Sequence, residues 1–163
     1  LGALFLYYRS NYAAVYRQMN NPLLEHFTAQ ARNRNTDEAI PKDNIKRMIA
    51  LLRQGGCIWF APDQQHQGSN SALVDFFGQP AHSATVTATL ARLGKAKVVP
   101  FFVARHHDGY EVEVLPALED FPSGDEVADT ERYHRLIEAQ VRKVPEQYLW
   151  VHKRFKGAPG IEY

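Results

Sequence analysis

A chain of 163 residues is long enough for one globular domain, and a globule of that size hides roughly 70% of the surface its unfolded chain would expose. Its 19 lysines and arginines nearly balance 18 aspartates and glutamates, so no global field argues for a nucleic-acid partner and any basic site must be local. A single cysteine, Cys57, excludes an internal disulfide and suits a reducing compartment.

Residues 1–8 form an apolar run far short of the about 20 residues that cross a bilayer, with neither the basic region nor the small-residue cleavage site of a signal peptide. Residues 1–9 fit a short buried helix or a strand, with helix preferred, and the start at Leu1 inside an apolar segment reads as the trimmed end of a longer protein. Residues 12–17 read as a short strand presenting Arg17 at its tip. Asn21-Pro22 then starts a helix, with Asn21 as cap and Pro22 at the first helical position, where its missing N–H costs nothing. That helix is expected to carry Leu23, Leu24, Phe27 and Ala31 inward and to end near Arg32. Over residues 42–54 Ile45, Met48, Ile49 and Leu52 share one helical face, and Gly55 follows as the stop.

The stretch on which the rest is organised comes next. Residues 57–61, uncharged and bounded by Gly55-Gly56 and Pro62, read as a central buried strand with Cys57 packed inside it. Asp63 and Gln64 therefore sit at its C-terminal end, where ligands bind in open α/β sheets. Residues 63–82 read as a long polar connection broken by Val74, Phe76 and Phe77, a length that points to function. A helix over residues 83–93 with Ser83 as cap, followed by a strand over 98–104, completes a strand–helix–strand unit that requires parallel pairing with residues 57–61. Residues 98–107 and 110–114 then form a hairpin around Asp108-Gly109. Residues 120–129 read as an acidic loop, and residues 130–144 as an amphipathic helix with Tyr133, Leu136, Ile137, Val141 and Val144 on one stripe, ended by Pro145. The expected fold is one α/β domain over residues 1–163, truncated at its N-terminus, with a central, mostly parallel sheet, an antiparallel hairpin edge and helices on both faces.

For chemistry, Asp63 offers a carboxylate able to orient a histidine, and Gln64 an amide able to donate to a developing oxyanion; the plainer alternative is a turn in which Asp63 accepts backbone N–H groups. The 7 histidines show no Cys–His spacing that spells a metal site. His106 and His107 are expected to face solvent at the hairpin turn, and His134 to lie at the polar edge of the last helix. Neither a Gly-x-Ser-x-Gly elbow nor a phosphate-loop glycine motif is present, which argues against covalent serine chemistry and nucleotide hydrolysis. Trp150-Val151-His152-Lys153-Arg154-Phe155-Lys156 mixes large aromatics with cations, a combination suited to a membrane surface.

Taken in order, Val15-Tyr16-Arg17, Asn21-Pro22-Leu23-Leu24, Ala61-Pro62-Asp63-Gln64, Phe76-Phe77-Gly78-Gln79-Pro80-Ala81, Val99-Pro100-Phe101 and the run from Pro145 to Lys156 resemble the bacterial lipid A biosynthesis late acyltransferases, the lauroyl and myristoyl transferases. The resemblance implies a fold of the glycerolipid acyltransferase type. It also implies transfer of a fatty acyl chain from acyl carrier protein to a hydroxyl of a lipid A precursor, at the cytoplasmic face of the bacterial inner membrane. A related glycolipid such as a phosphatidylinositol mannoside is the alternative acceptor, and a non-catalytic lipid-binding module the alternative role. No cofactor or metal is implied. Carried over by position, Arg17, Asp63 and Gln64 support catalysis. Phe76 and Phe77 line the acyl-chain groove, where each methylene is worth about 1–3 kcal/mol of discrimination. Lys153, Arg154 and Lys156 face anionic headgroups or acceptor phosphates. The family's His-x-x-x-x-Asp/Glu pair belongs upstream of Val15. The one match in this sequence, His106 with Glu111, straddles the hairpin turn and reads as a decoy, so the chain by itself is expected to be inactive.

Overall fold

A computed structural model describes residues 11–162; the expectation for residues 1–9 lies outside them. The chain is mixed α/β, as expected, and divides into two compact units, one running up to Phe60 and including Leu93–Ala96, the other made of Ala61–Arg92 and the residues from Lys97 on.

In the first unit the order is β1 (Ala13–Tyr16), α1 (Pro22–Asn35), β2 (Glu38–Pro41), α2 (Ile45–Arg53) and β3 (Ile58–Trp59). The three strands form one parallel sheet in the order β2-β1-β3, with Val15 opposite Ile40 and Ala14 opposite Trp59. Parallel neighbours cannot be joined by a tight turn, and each connection here contains a helix. Tyr12, Ala13, Ala14, Ile40 and Met48 are buried and form the core of this unit. Asn21 Oδ1 accepts from the N–H groups of Leu23 and Leu24 at 3.0 and 3.3 Å, which starts α1 where its cap and proline predicted. Arg47 on α2 grips Glu38 on β2 through Nε and Nη2 at 2.8 and 2.6 Å, a bidentate pair that fixes the helix on the sheet.

Two expectations for this unit fail. Within this unit's sheet β1 lies between β2 and the two-residue β3, and Cys57, expected to be packed inside, is exposed. Helix α1 runs to Asn35 but turns Leu23, Leu24 and Phe27 outward, and Ala31 is exposed as well. Its polar residues are spread all round, so no stripe forces one orientation.

The second unit holds β4 (Ser71–Phe76), β5 (Gln79–Ala84), α3 (Val86–Gly94, ending in the first unit), β6 (Phe101–His106), β7 (Gly109–Val114), α4 (Glu126–Lys143) and a 3-10 turn at Pro145–Gln147. Residues 71–84, expected as part of a polar loop and a helix start, are an antiparallel hairpin in which Phe76 faces Gln79. Its two-residue turn places Phe77 at φ 56° and Gly78 at φ 74°, the left-handed pair that matches strand twist. Ser83 is consequently a strand residue and α3 begins later, at Val86.

Strands β6 and β7 form the expected hairpin, with Val103 opposite Val112. Within the second unit they pair with each other and with no other described strand of that unit; the parallel pairing among the described residues is that of β1, β2 and β3. The stretch read as an acidic loop supplies the start of α4: Asp125 Oδ1 caps Val127 and Ala128, and Glu126 and Asp129 lie in the first turn, where the helix dipole favours anions. Tyr133 and Val141 point inward as α4 packs on β4. Among the described residues no helix is long and apolar enough to cross a membrane.

The outward face of α1 and the strained turn make opposite predictions. Leu23→Gln and Phe27→Gln are expected to change unfolding free energy by less than about 0.5 kcal/mol each. Gly78→Ala, which forces a Cβ into the left-handed region, is expected to cost about 1 kcal/mol or more. Urea denaturation midpoints distinguish the two cases.

Candidate functional site

Arg17 follows the last residue of β1, at the C-terminal tip of the central parallel strand, and is exposed. A guanidinium there presents a planar fork of donors suited to carboxylate or phosphate. It belongs to the first unit.

In the second unit the segment after Pro62 is sewn to two distant stretches. Gln65 pairs with Ser83 in an isolated antiparallel bridge, and the His66 N–H donates to the His82 carbonyl at 3.2 Å. The Gln65 N–H donates to His152 Nε2 at 2.9 Å, which requires the lone pair on that nitrogen. Asp63 is half-buried and Gln64 exposed at the start of this seam.

At its centre lies Arg154, only 2% exposed. Its guanidinium donates to the His82 carbonyl at 2.8 Å and to Ser83 Oγ at 2.6 Å, and its Cζ stands 4.9 Å from the centre of the Phe76 ring. A side-chain hydrogen bond joins it to Tyr148. No carboxylate bonds it directly; its Nε is buried without an acceptor among the described residues. Burial pulls the Arg154 pKa down, while the nearby Tyr148, Asp63 and Tyr133 act in the opposite sense. Tyr148 is pushed up, first by burial and then by the Asp63 carboxylate. Asp63 is thus one of the groups whose field favours the interior cation, an influence its position beside Pro62 does not reveal.

His134 completes the cluster. It is fully buried rather than at the polar edge of α4. Its Nδ1–H points at the Asp75 carbonyl, 3.4 Å away, and Arg154 Nη2 lies 3.5 Å from Nε2, so the neutral ring offers the cation its lone pair. Burial, then the Arg154 charge, lower its pKa from 6.5 to about 4.

The remaining expected residues divide. Arg154 does not face outward to headgroups, because its hydrogen bonds lie inside; Lys153 and Lys156 on either side of it are exposed. Phe76 is 1% exposed and belongs to the core, between His134, Tyr148 and Phe155, so it lines no open groove. Phe77 is half-buried at the hairpin turn, where Glu138 Oε1 accepts its N–H at 2.7 Å and the Arg142 guanidinium lies 4.7 Å from its ring centre. Those contacts from α4 hold Phe77 in its left-handed conformation. His106 and Glu111, 3.0 Å apart, are both exposed across the β6–β7 turn. Among the described residues no group of His, Cys, Asp or Glu could hold a metal ion. Sequence reasoning missed Ser83, His134 and Glu138; the one local signal for the last two is their spacing from Tyr133 and Val141 along the inward stripe of α4.

Comparison with known proteins gives a family model described as bacterial lipid A biosynthesis acyltransferase, which matches residues 1–157. The lipid A biosynthesis palmitoleoyltransferase of Escherichia coli K12 is 33% identical over 149 residues, covering 90% of this chain and 48% of that protein. The lipid A biosynthesis lauroyltransferase of the same organism is 33% identical, covering 89% of this chain and 48% of its own. Its lipid A biosynthesis myristoyltransferase is 30% identical, covering 88% and 46% respectively. The chain spans about half the length of the curated relatives it matches.

His134 makes stability depend on pH. The unfolded chain takes up its proton near pH 6.5, whereas the folded site refuses it until about 4, held off first by burial and then by Arg154 although Asp75 and Glu138 favour it. The stabilisation is complete above pH 6.5 and is lost as pH falls towards 4, amounting to about 3 kcal/mol over that window. His134→Gln is expected to flatten this slope, read from urea midpoints across the same range.

Proposed function

Because this chain belongs to the bacterial lipid A biosynthesis acyltransferase family, we propose that the whole protein transfers a fatty acyl chain from acyl carrier protein to a hydroxyl of a lipid A precursor. The observation that carries the reading is the family match over nearly the whole chain, residues 1–157. The names of the relatives support the lipid A acceptor, and envelope-lipid synthesis supports work at a membrane surface; the cytoplasmic face of the inner membrane is where acyl carrier protein and that acceptor meet.

In this reading a histidine, oriented by an acid, removes the acceptor's hydroxyl proton. The resulting oxygen attacks the donor's acyl carbonyl, the carbonyl oxygen becomes anionic, and collapse of that intermediate forms the ester and expels the carrier's thiolate, which takes the proton back. The exposed His106–Glu111 pair is not assigned that task. Proton removal falls to a pair that residues 11–162 do not supply, and the 163-residue chain alone is expected not to turn over.

The residues here support the reaction. Arg17, free to reach outward from its strand tip, binds acceptor phosphate or steadies the dyad's acid. Asp63 holds the charge balance of the Arg154 cluster, which keeps Gln64 in place as a donor to the developing oxyanion. Phe77 contributes an apolar wall for the acyl chain, and Lys153 and Lys156 meet anionic groups.

In the full-length protein, Arg17→Ala and Asp63→Ala are each expected to lower kcat/KM for acyl transfer at least about 100-fold. The assay follows labelled acyl chain from acyl carrier protein into product whose mass identifies the acceptor. Unchanged activity in either variant removes that residue from the assignment.

A further inference from the structure

Next to the buried Arg154 the chain makes a short turn whose side chains point the other way. Leu149 and Trp150 are each 59% exposed and Val151 is 85% exposed, consecutive large apolar groups left in water. Lys153 and Lys156 follow within the same run and are exposed. Isolated surface hydrophobes need no explanation, but adjacent ones on a fixed turn do.

The turn is fixed from both sides. Before it, the Tyr148 ring lies 6.3 Å from Phe76 and the Tyr148 hydroxyl bonds Arg154. After it, His152 Nε2 accepts the Gln65 N–H at 2.9 Å and Arg154 is locked inside. Within it the Tyr148 and Trp150 rings meet edge to face at 5.0 Å.

From this we propose that Leu149, Trp150 and Val151 form a preformed knuckle that inserts into the headgroup boundary of an anionic phospholipid surface, with Lys153 and Lys156 meeting the lipid phosphates. Three donors of the turn are already satisfied within the protein, which lowers the cost of moving it into an apolar medium. Trp150 Nε1–H donates to the Pro145 carbonyl at 2.6 Å. The Trp150 N–H bonds the Tyr148 carbonyl at 2.9 Å and the His152 N–H the Leu149 carbonyl at 3.0 Å. Moving the turn out of water therefore strands none of these donors. The lysines supply charge complementarity to anionic headgroups, and a tryptophan with aliphatic neighbours suits the interfacial depth. An extended run of protruding apolar side chains fits a fluid lipid boundary, which closes round any convex shape. The inference deepens the proposed function and rests on it for one point only, that the acceptor is a membrane lipid.

The test partitions the 163-residue chain onto vesicles of phosphatidylcholine and phosphatidylglycerol in a three-to-one ratio, with pure phosphatidylcholine for comparison. Trp150→Ala combined with Val151→Asp is expected to weaken binding at least about tenfold, and Lys153→Gln with Lys156→Gln to remove most of the preference for anionic vesicles. Unchanged melting temperatures establish that these variants fold, and Val151→Ser alone, at the most exposed position, provides a milder variant with a smaller loss. Equal binding by wild type and variants overturns the proposal, as does loss of affinity for acidic proteins such as acyl carrier protein with vesicle binding intact. In the full-length enzyme the Trp150/Val151 variant is expected to retain transfer to detergent-dispersed acceptor while losing transfer to acceptor in vesicles. Absence of any transfer by the wild type, with the vesicle result unchanged, overturns the proposed function and leaves the docking knuckle standing.

Discussion

An arginine removed from water with no carboxylate bonded to it among the described residues is the constraint on which the second unit depends. The desolvation of Arg154 is offset by a carbonyl and a hydroxyl from β5, a tyrosine hydroxyl, the face of Phe76 and the field of Asp63. None of these alone matches a salt bridge. Together they require the end of the chain, the β4–β5 hairpin, α4 and the segment after Pro62 to assemble at one place, because withdrawing any one leaves a buried charge with fewer partners.

That requirement links the remaining features. Neutral His134 completes the cage, since a protonated ring would set a second cation against the guanidinium. Glu138, one turn further along α4, takes the backbone N–H of Phe77 and so holds the hairpin tip in its strained conformation. Asp63 and Gln64 acquire a fixed position through contacts made by their neighbours Gln65 and His66. The same anchor, pulling Arg154 inward, turns Leu149 to Val151 outward with the lysines, and the basic tail becomes a surface with two distinct faces.

Much of this was legible in the sequence where the signal was local. Caps and periodicity located α1, α2 and α4, and the alternation around Asp108 located the β6–β7 hairpin. The family was legible from motifs spread over the chain. What stayed hidden depends on partners far away in sequence. Gln79 to His82 reads as loop because glutamine, proline and histidine are poor strand formers, yet pairing with Leu73, Val74 and Phe76 overrides that preference. Arg154 reads as a surface cation among lysines, and two of its acceptors come from the hairpin more than seventy residues earlier. Residues 57–61 read as a central strand because apolar composition reports affinity for burial but not which neighbour provides it.

The most direct measurement is amide hydrogen exchange in Arg154→Lys, which keeps the charge but loses the planar fork. If the guanidinium holds the segment after Pro62 to β5 and the chain end, the amides of Gln65 and His66 exchange about tenfold faster or more, while those of Val103 and Val112 in the separate β6–β7 hairpin keep their wild-type rates. Unchanged protection at Gln65 and His66 would contradict the account, because the seam would then hold without the interior cation.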